Sequence, residues 1–482
     1  MAPIFVSSTQ RPRVGHPGVG VRPTWELWAF GLLAAFFVGF GVEVLHRSAF
    51  SDRRRTDAGV YFRAGYAART GTDPYSVSDD NQWRFLYPPG IAAFFAPLAD
   101  PPSGAAENGP SARSMVERPR GYLPYPVSVV LWYALSVACV GASIELLART
   151  LTRASPDPLV RAMDRRSGGW WTMRFWPLLM CLPDIGSTLS RGQINLVVLA
   201  MICAGIAWLS SGRKILGGAA FAAAACVKII PGLLVLDVAA RRGVRAILGC
   251  AACGLALLVV LPALVFGPTR AWDYTLNFSQ HVLLAGVLGS PERLQAGADF
   301  ADTDNLSIQG SLHNALNMNI PRARRPSQPS SWIRVVHIAA ALLLTGATLL
   351  VGRKPWSQPK REDAPMEITL RIGMLSSVMV MTAPMAHRHY FVFLLPAVFA
   401  LVFLDLMRSR IAAPHGIGAV LVVLYPIALS LPRLPWLERW GARDWPIPLG
   451  VTLAVWGLSA WTLARLSSGE LSESTSIDHA AA

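Results

Sequence analysis

The stretch AACVKIIPG, Ala224–Gly232, sits in the middle of an apolar run from Ile215 to Ala240 that is long enough to cross a bilayer. Read as one straight span, the run puts Lys228 and Pro231 where a membrane helix should be most apolar. It would also send the flanking basic clusters, Arg213 and Lys214 on one side and Arg241, Arg242 and Arg245 on the other, to opposite faces, although short basic loops tend to share the cytoplasmic side. Both conflicts vanish if two short helices meet near Lys228 and both outer ends are cytoplasmic. The run is therefore expected to be a re-entrant or short helical hairpin, since broken backbone at membrane depth is tolerated where it lines a protein cavity.

Working outward, the rest of the chain is equally apolar. Of 482 residues, 52% are hydrophobic and 15% are charged, against about 25% charged in a soluble protein. Runs near the roughly 20 residues of a spanning helix recur throughout. They fall at about Trp25–Leu45, Pro126–Leu147, Thr172–Leu189, Gln193–Ser210, Arg245–Phe266, Trp332–Val351, Ile368–Ala383, Tyr390–Met407, Ala412–Leu431 and Ile447–Leu466. The expected fold class is an all-α polytopic membrane protein with about ten full transmembrane helices plus the hairpin.

Positive charge sets the expected orientation. Arg149, Arg153, Arg161, Arg165 and Arg166 crowd the loop after the second span and mark it as cytoplasmic, and Arg353, Lys354, Lys360, Arg361, Arg408 and Arg410 form further clusters. The domain reading is a cytoplasmic tail over 1–24, a membrane domain over 25–466 and a cytoplasmic tail over 467–482. Two long loops, 46–124 and 267–331, then lie on the outer face with the turns near Arg191–Gln193 and Pro384–His389. Within the first loop, GIAAFFAPLA (Gly90–Ala99) is too short to cross and is expected in the interface, and a Pro/Gly/Ser/Arg-rich insert follows over 100–122.

Lys and Arg outnumber Asp and Glu, 44 to 29. In this setting the excess reads as topology and contact with anionic membrane lipids; no aromatic-basic module points to nucleic acid. All six cysteines lie in apolar stretches, and Cys250–Cys253 reads as helix packing rather than as a metal or disulfide pair. No metal site and no cofactor are expected.

Ionisable and amide side chains near membrane depth mark function by default. Here they converge on the outer side: Asp57, Tyr61 and Tyr87 from the first loop, Arg191, Gln193 and Asn195 from SRGQIN, and Lys228 from the hairpin. The late loop adds Gln309, Ser311 and His313, and APMAHRHY adds His387, Arg388 and His389. One carboxylate among several cations suits a substrate that bears a phosphate and a hydroxyl to be activated. Arg, Lys and His hold phosphate oxygens, and a carboxylate takes a proton from an attacking hydroxyl. Bland readings stand beside these. Asp57 also fits a loop acid paired with Arg53–Arg55, Gln193 and Asn195 fit a helix start, Tyr87 fits a rigid turn, and Lys228 fits a snorkelling cation. Asp73, ahead of Pro74 and Tyr75, reads as a turn and a lesser candidate base, while Asp79 and Asp80 read as solvent-facing charges.

Five motifs in order, DAGVYFRAGYAARTGTDPY (Asp57–Tyr75), FLYPPGIAAFFAPLA (Phe85–Ala99), GQINLVVL (Gly192–Leu199), KIIPGLLVL (Lys228–Leu236) and HYFVFLLP (His389–Pro396), resemble glycosyltransferase family 87. The resemblance runs from Trp25 to about Pro396. It implies the C-type integral-membrane glycosyltransferase fold and inverting transfer of one sugar, usually mannose, from a polyprenyl-phosphate-linked donor lipid to a glycolipid or glycan acceptor. Asp57 is the position that matches the family's base, and His389 the histidine near the donor phosphate. A multi-pass protein of the plasma (inner) membrane with its site facing the periplasm or exterior follows. The late loop departs from the family run, with only QGS at Gln309–Ser311, and the 100–122 insert has no counterpart. A membrane transporter or lipid flippase is the rival class, since broken helices and buried cations serve those proteins too; the hydropathy shows no inverted repeat. A non-catalytic assembly partner of the same fold is a third reading.

Overall fold

The computed structural model describes residues 24–51, 56–102, 120–155, 160, 168–284, 304–351, 364–409, 416–431, 434–438 and 444–468. The tails over 1–23 and 469–482, Arg53–Arg55, the 100–122 insert over 103–119, and the basic clusters at 161–166 and 353–361 lie outside the described residues.

Among the described residues the chain is helical, with one isolated antiparallel bridge, Ser78 to Arg84. In chain order the helices are α1 (Thr24–Leu45), α2 (Ala58–Thr70), α3 (Ile91–Phe94), α4 (Tyr125–Arg153), α5 (Gly168–Arg191), α6 (Asn195–Ser210), α7 (Lys214–Val227) and α8 (Gly232–Asp237). There follow α9 (Val244–Phe266), α10 (Pro268–Asn277), α11 (Ile308–Leu316), α12 (Ser331–Leu350), α13 (Pro365–Thr382), α14 (Leu395–Ser409), α15 (Gly416–Ser430), α16 (Pro435–Glu438) and α17 (Ile447–Ser468). The chain divides into a small unit, Met1–Phe40, and a large one, Gly41–Ala482. Within the small unit Phe36 stacks on Phe40. The site described below lies in the large unit.

Six helical stretches are long and apolar enough to cross a membrane: α1 with its continuation, α4, α9, α12, the segment Arg388–Met407 and α17. The chain is an all-α polytopic membrane protein. The other four expected spans are helices of another character. α5 is continuous but contains Pro177 and Pro183, α6 and α15 have 16 and 15 residues, and α13 buries every side chain from Ile368 to Met381. A helix enclosed by protein can be short or carry Arg371, Ser376 and Ser377, because its surroundings rather than lipid satisfy those groups. α9 and α12 instead expose apolar side chains such as Leu248, Val259, Leu264, Leu342 and Leu343, as lipid-facing helices do.

The hairpin expected from AACVKIIPG is present. α7 stops at Lys228, which takes extended φ/ψ, and α8 restarts after Pro231. Near the start of α7 the chain touches the start of α9: a Cβ on Gly218 would fall 2.0 Å from the Ala246 carbonyl, and one on Gly249 would fall 2.0 Å from that of Ile215. The basic residues before α7 and before α9 therefore share one end of the bundle. At the other end of α7, Lys228 Nζ donates to Asn195 Oδ1 at the start of α6, 2.6 Å away. α7 thus climbs from the basic end to the level of Asn195, and α8 turns back.

The first loop is more ordered than its polarity suggested. α2 is buried along Tyr61, Phe62, Ala64 and Ala67, and the Gly90–Ala99 segment packs beneath it as α3 and a 3-10 turn, with Gly65 against the Phe95 backbone. Asp79 corrects the expectation of a solvent-facing charge, whereas Asp80 is exposed as expected. Asp79 is 5% exposed and accepts from the Asn81 and Trp83 N–H groups, while Asp80 and Asp100 both lie 3.3 Å from buried Arg63.

Candidate active site

Asp57 stands immediately before α2, at the end where that helix presents its unpaired N–H groups. Its own N–H donates to the Arg191 carbonyl at 2.8 Å, which fastens the first loop to the α5–α6 turn. The turn can come so close because Gly192 has a left-handed φ of +63° and no side chain; a Cβ there would lie 3.0 Å from that of Ala58. From the other side Trp132 Nε1 donates to the Gly192 carbonyl at 2.8 Å.

The carboxylate is half-buried and accepts a hydrogen bond from Gln193 Nε2. Gln193 Oε1 in turn accepts from the Tyr61 hydroxyl at 3.2 Å, which fixes which way the amide faces. Tyr61 and Tyr87 hydroxyls are 2.7 Å apart, and Tyr61 lies flat on Phe95. Having given its proton to Gln193, Tyr61 must accept one from Tyr87, so the chain runs in one direction, from Tyr87 through Tyr61 and Gln193 to Asp57. Burial raises the pKa of both tyrosines above the ordinary phenol value and keeps them as neutral donors. Burial also raises the Asp57 pKa, against the pull of Arg191, the Gln193 hydrogen bond and Lys228. The group has an opening to solvent yet is deeply surrounded, as at the foot of a cleft.

Beside it is a polar cavity of about 250 Å³ lined by Arg47, Ser187, Ser190, Arg191, Asp304, His387 and Arg388. Arg388 is held by Ser430 Oγ at 3.0 Å and by buried Asp184 at 3.8 Å. His387 Nδ1 lies 3.3 Å from the Asp304 carbonyl. Burial first, and Arg191 second, lower the His387 pKa to about 4. It is therefore a neutral hydrogen-bonding ring at neutral pH, not the cation that the sequence suggested.

The remaining expected residues divide by place. Asn195 donates to the His389 carbonyl at 2.8 Å and accepts from Lys228, whose ammonium also sits 3.9 Å from the Tyr390 ring centre. His389 is 3% exposed with its ring 5.5 Å from that of His387. These three form a wall behind His387 rather than the lining of the cavity. Gln309 Nε2 donates to the Pro384 carbonyl at 2.8 Å, and Asn305 supports the same turn through Pro384 and Ala386. Ser311 and His313 are buried on α11. That helix braces the histidine turn, and none of its three expected residues lines the cavity. Asp73 caps its own turn by accepting from the Tyr75 N–H at 2.9 Å. Arg47, Ser187, Ser190, Asp184 and Asp304 were not singled out in the sequence. Ser187 and Ser190 precede Arg191 and Gln193 in the SRGQIN region, and that nearness was the available signal.

The protein-family model described as glycosyltransferase family 87 matches residues 85–384, more than half of the chain. Among curated proteins, an alpha-(1->3)-arabinofuranosyltransferase of Mycobacterium tuberculosis, in strains CDC 1551 / Oshkosh and ATCC 25618 / H37Rv, is 25% identical over 296 residues. The match covers 58% of this chain and 58% of the relative, so the chain spans less than two thirds of the length of the curated proteins it matches.

Proposed function

Given that the chain belongs to glycosyltransferase family 87, a membrane glycosyltransferase by its helices and its family, we propose that it moves one sugar from a polyprenyl-phosphate donor to a hydroxyl of a glycolipid or glycan. The observation that supports this most is the pairing of a half-buried carboxylate with a neighbouring cavity rich in arginine. Asp57 takes the proton of the acceptor hydroxyl, whose oxygen attacks the anomeric carbon from the face opposite the phosphate. The bond from that carbon to the phosphate oxygen breaks, its electron pair stays on the oxygen, and the configuration inverts.

Arg191, Arg388 and the neutral His387 receive the phosphate, and Gln193 with Tyr61 and Tyr87 holds the carboxylate. His389, Asn195 and Lys228 form the wall that positions His387, and Gln309, Ser311 and His313 act through the turn that they brace. Donors fixed on the departing charge lower the barrier because they strengthen as the reaction proceeds. The site faces the outer side of a plasma (inner) membrane, away from the basic end.

Mannose is the sugar that the resemblance to the family implies. A pentofuranose is the second reading, favoured by the arabinofuranosyltransferase to which the chain is similar. The deciding experiment uses protein in lipid nanodiscs with radiolabelled polyprenyl-phosphate-mannose or polyprenyl-phosphate-arabinose and a membrane lipid extract as acceptor. Label should pass to a new product from one donor only, and Asp57→Asn should reduce transfer by roughly 10²- to 10⁴-fold. Equal transfer by the variant would remove Asp57 from the mechanism, and no transfer from either sugar would sink the donor assignment.

A further inference from the structure

α1 does not end at Leu45 but widens into a π-type turn, His46–Phe50. Such a turn shifts side-chain directions relative to an α-helix and often occurs at functional sites. Here it buries Ser48 and Ala49 and leaves Arg47 half-buried on the wall of the polar cavity. Among the described residues Arg47 makes neither a hydrogen bond nor an ion pair. The same is true of the Arg191 guanidinium, whereas Arg388 is already held by Asp184 and Ser430. Two arginines with unpaired guanidinium groups therefore line one polar cavity, together with Ser187 and Ser190.

The ordinary reading of an arginine at the end of a membrane helix is an anchor among lipid headgroups. That reading explains a charge at this depth but not an arginine that lines a polar cavity together with Arg191 and Arg388. The charge change of the reaction supplies a better explanation. A phosphodiester donor carries one negative charge, and the monoester left behind carries close to two at neutral pH. The planar guanidinium fork suits the oxygens of such a group.

We infer that Arg47 pairs with Arg191 as a clamp for the second charge of the departing phosphate, so that the cavity binds a lipid phosphate monoester in preference to a diester. This rests on the reading of the cavity as the donor site. In the transfer step the clamp acts as the carbon–oxygen bond breaks and the electron pair passes to phosphate, while the acceptor proton goes to Asp57. Arg47 thereby contributes more to the leaving group than to the intact donor.

The test is equilibrium binding to the full chain in nanodiscs of phosphatidylcholine alone, with farnesyl phosphate as the monoester and methyl farnesyl phosphate as the diester. Arg47→Gln should weaken the monoester roughly 10- to 100-fold, the usual range for one charge-assisted hydrogen bond. The diester should lose less than about threefold. Arg47→Lys, a point charge in place of the fork, should fall between, and it decides the matter if the glutamine variant does not fold. Arg69→Gln, whose guanidinium stacks over Tyr122 outside the cavity, should leave the monoester preference unchanged. Equal losses for both ligands, or none, would overturn the clamp while leaving the donor site standing. Failure of the wild type to bind either ligand would overturn both.

Discussion

Asp57 owes its properties to a few neighbours that pull in opposite directions. Burial raises its pKa, while Arg191, the Gln193 amide and Lys228 lower it. A base works only when ionised, so transfer should fall as pH drops through the raised value, and the acid limb should lie above the ordinary carboxylate range. Gln193→Ala removes one lowering influence, which should move that limb to still higher pH. The measurement is kcat/KM for donor against pH, and a limb that stays in place or moves downward would contradict this account of the carboxylate. The residue scale was also the hardest to read from sequence. Asp57, Gln193 and the tyrosines stood out as polar groups beside membrane helices, yet nothing local distinguished Arg47 from a headgroup anchor or Asp79 from a loop acid. Gln309 shows the opposite failure: a suggestive amide that is committed to the Pro384 carbonyl.

At the scale of elements, the hairpin was legible because a lysine and a proline break an apolar run and because the basic clusters had to agree. α2 was not legible, since a short buried helix in a polar loop has neither the length of a span nor a clean apolar face. The hairpin depends on the close approach of α7 to α9 at Gly218 and Gly249. Gly218→Ala places a methyl against backbone rather than against a flexible side chain, so the strain cannot relax cheaply. It should cost roughly 1–3 kcal/mol and lower the midpoint of thermal unfolding in detergent. Because Lys228 sits at the tip of this hairpin, the loss of stability should come with weaker donor binding. An unchanged midpoint would show that the two helices can separate without cost.

On the scale of the whole molecule, polarity is distributed by end. Asp57, Gln193, Asn195, Lys228 and His387 meet at one end, and the residues flanking α7 and α9 meet at the other. α6 separates them by 16 residues, about 24 Å of helix. Cysteines placed at exposed Ser211 and Arg245 should therefore react with a membrane-impermeant maleimide from the same side. A cysteine at exposed Ser76 should react from the opposite side. Labelling of Ser211 and Arg245 positions from different faces would require a straight crossing in place of the hairpin. The charge pattern foretold this division, but not that two of the ten expected spans, α6 and α13, would be largely enclosed by protein. Hydropathy reports how apolar a segment is and says little about whether lipid or protein surrounds it.

The hydrogen-bond chain from Tyr87 through Tyr61 to Asp57 has an insulator in it. A carboxamide can donate its N–H and accept at its oxygen, but it does not take up a proton and pass one on at neutral pH. Gln193 therefore polarises the carboxylate without wiring it to the tyrosines. Under the proposed role, the proton stripped from each acceptor has no exit along this chain and leaves by the mouth through which the product departs. Each turnover then resets the base only once that mouth is open, which ties the recovery of the catalyst to the release of what it made.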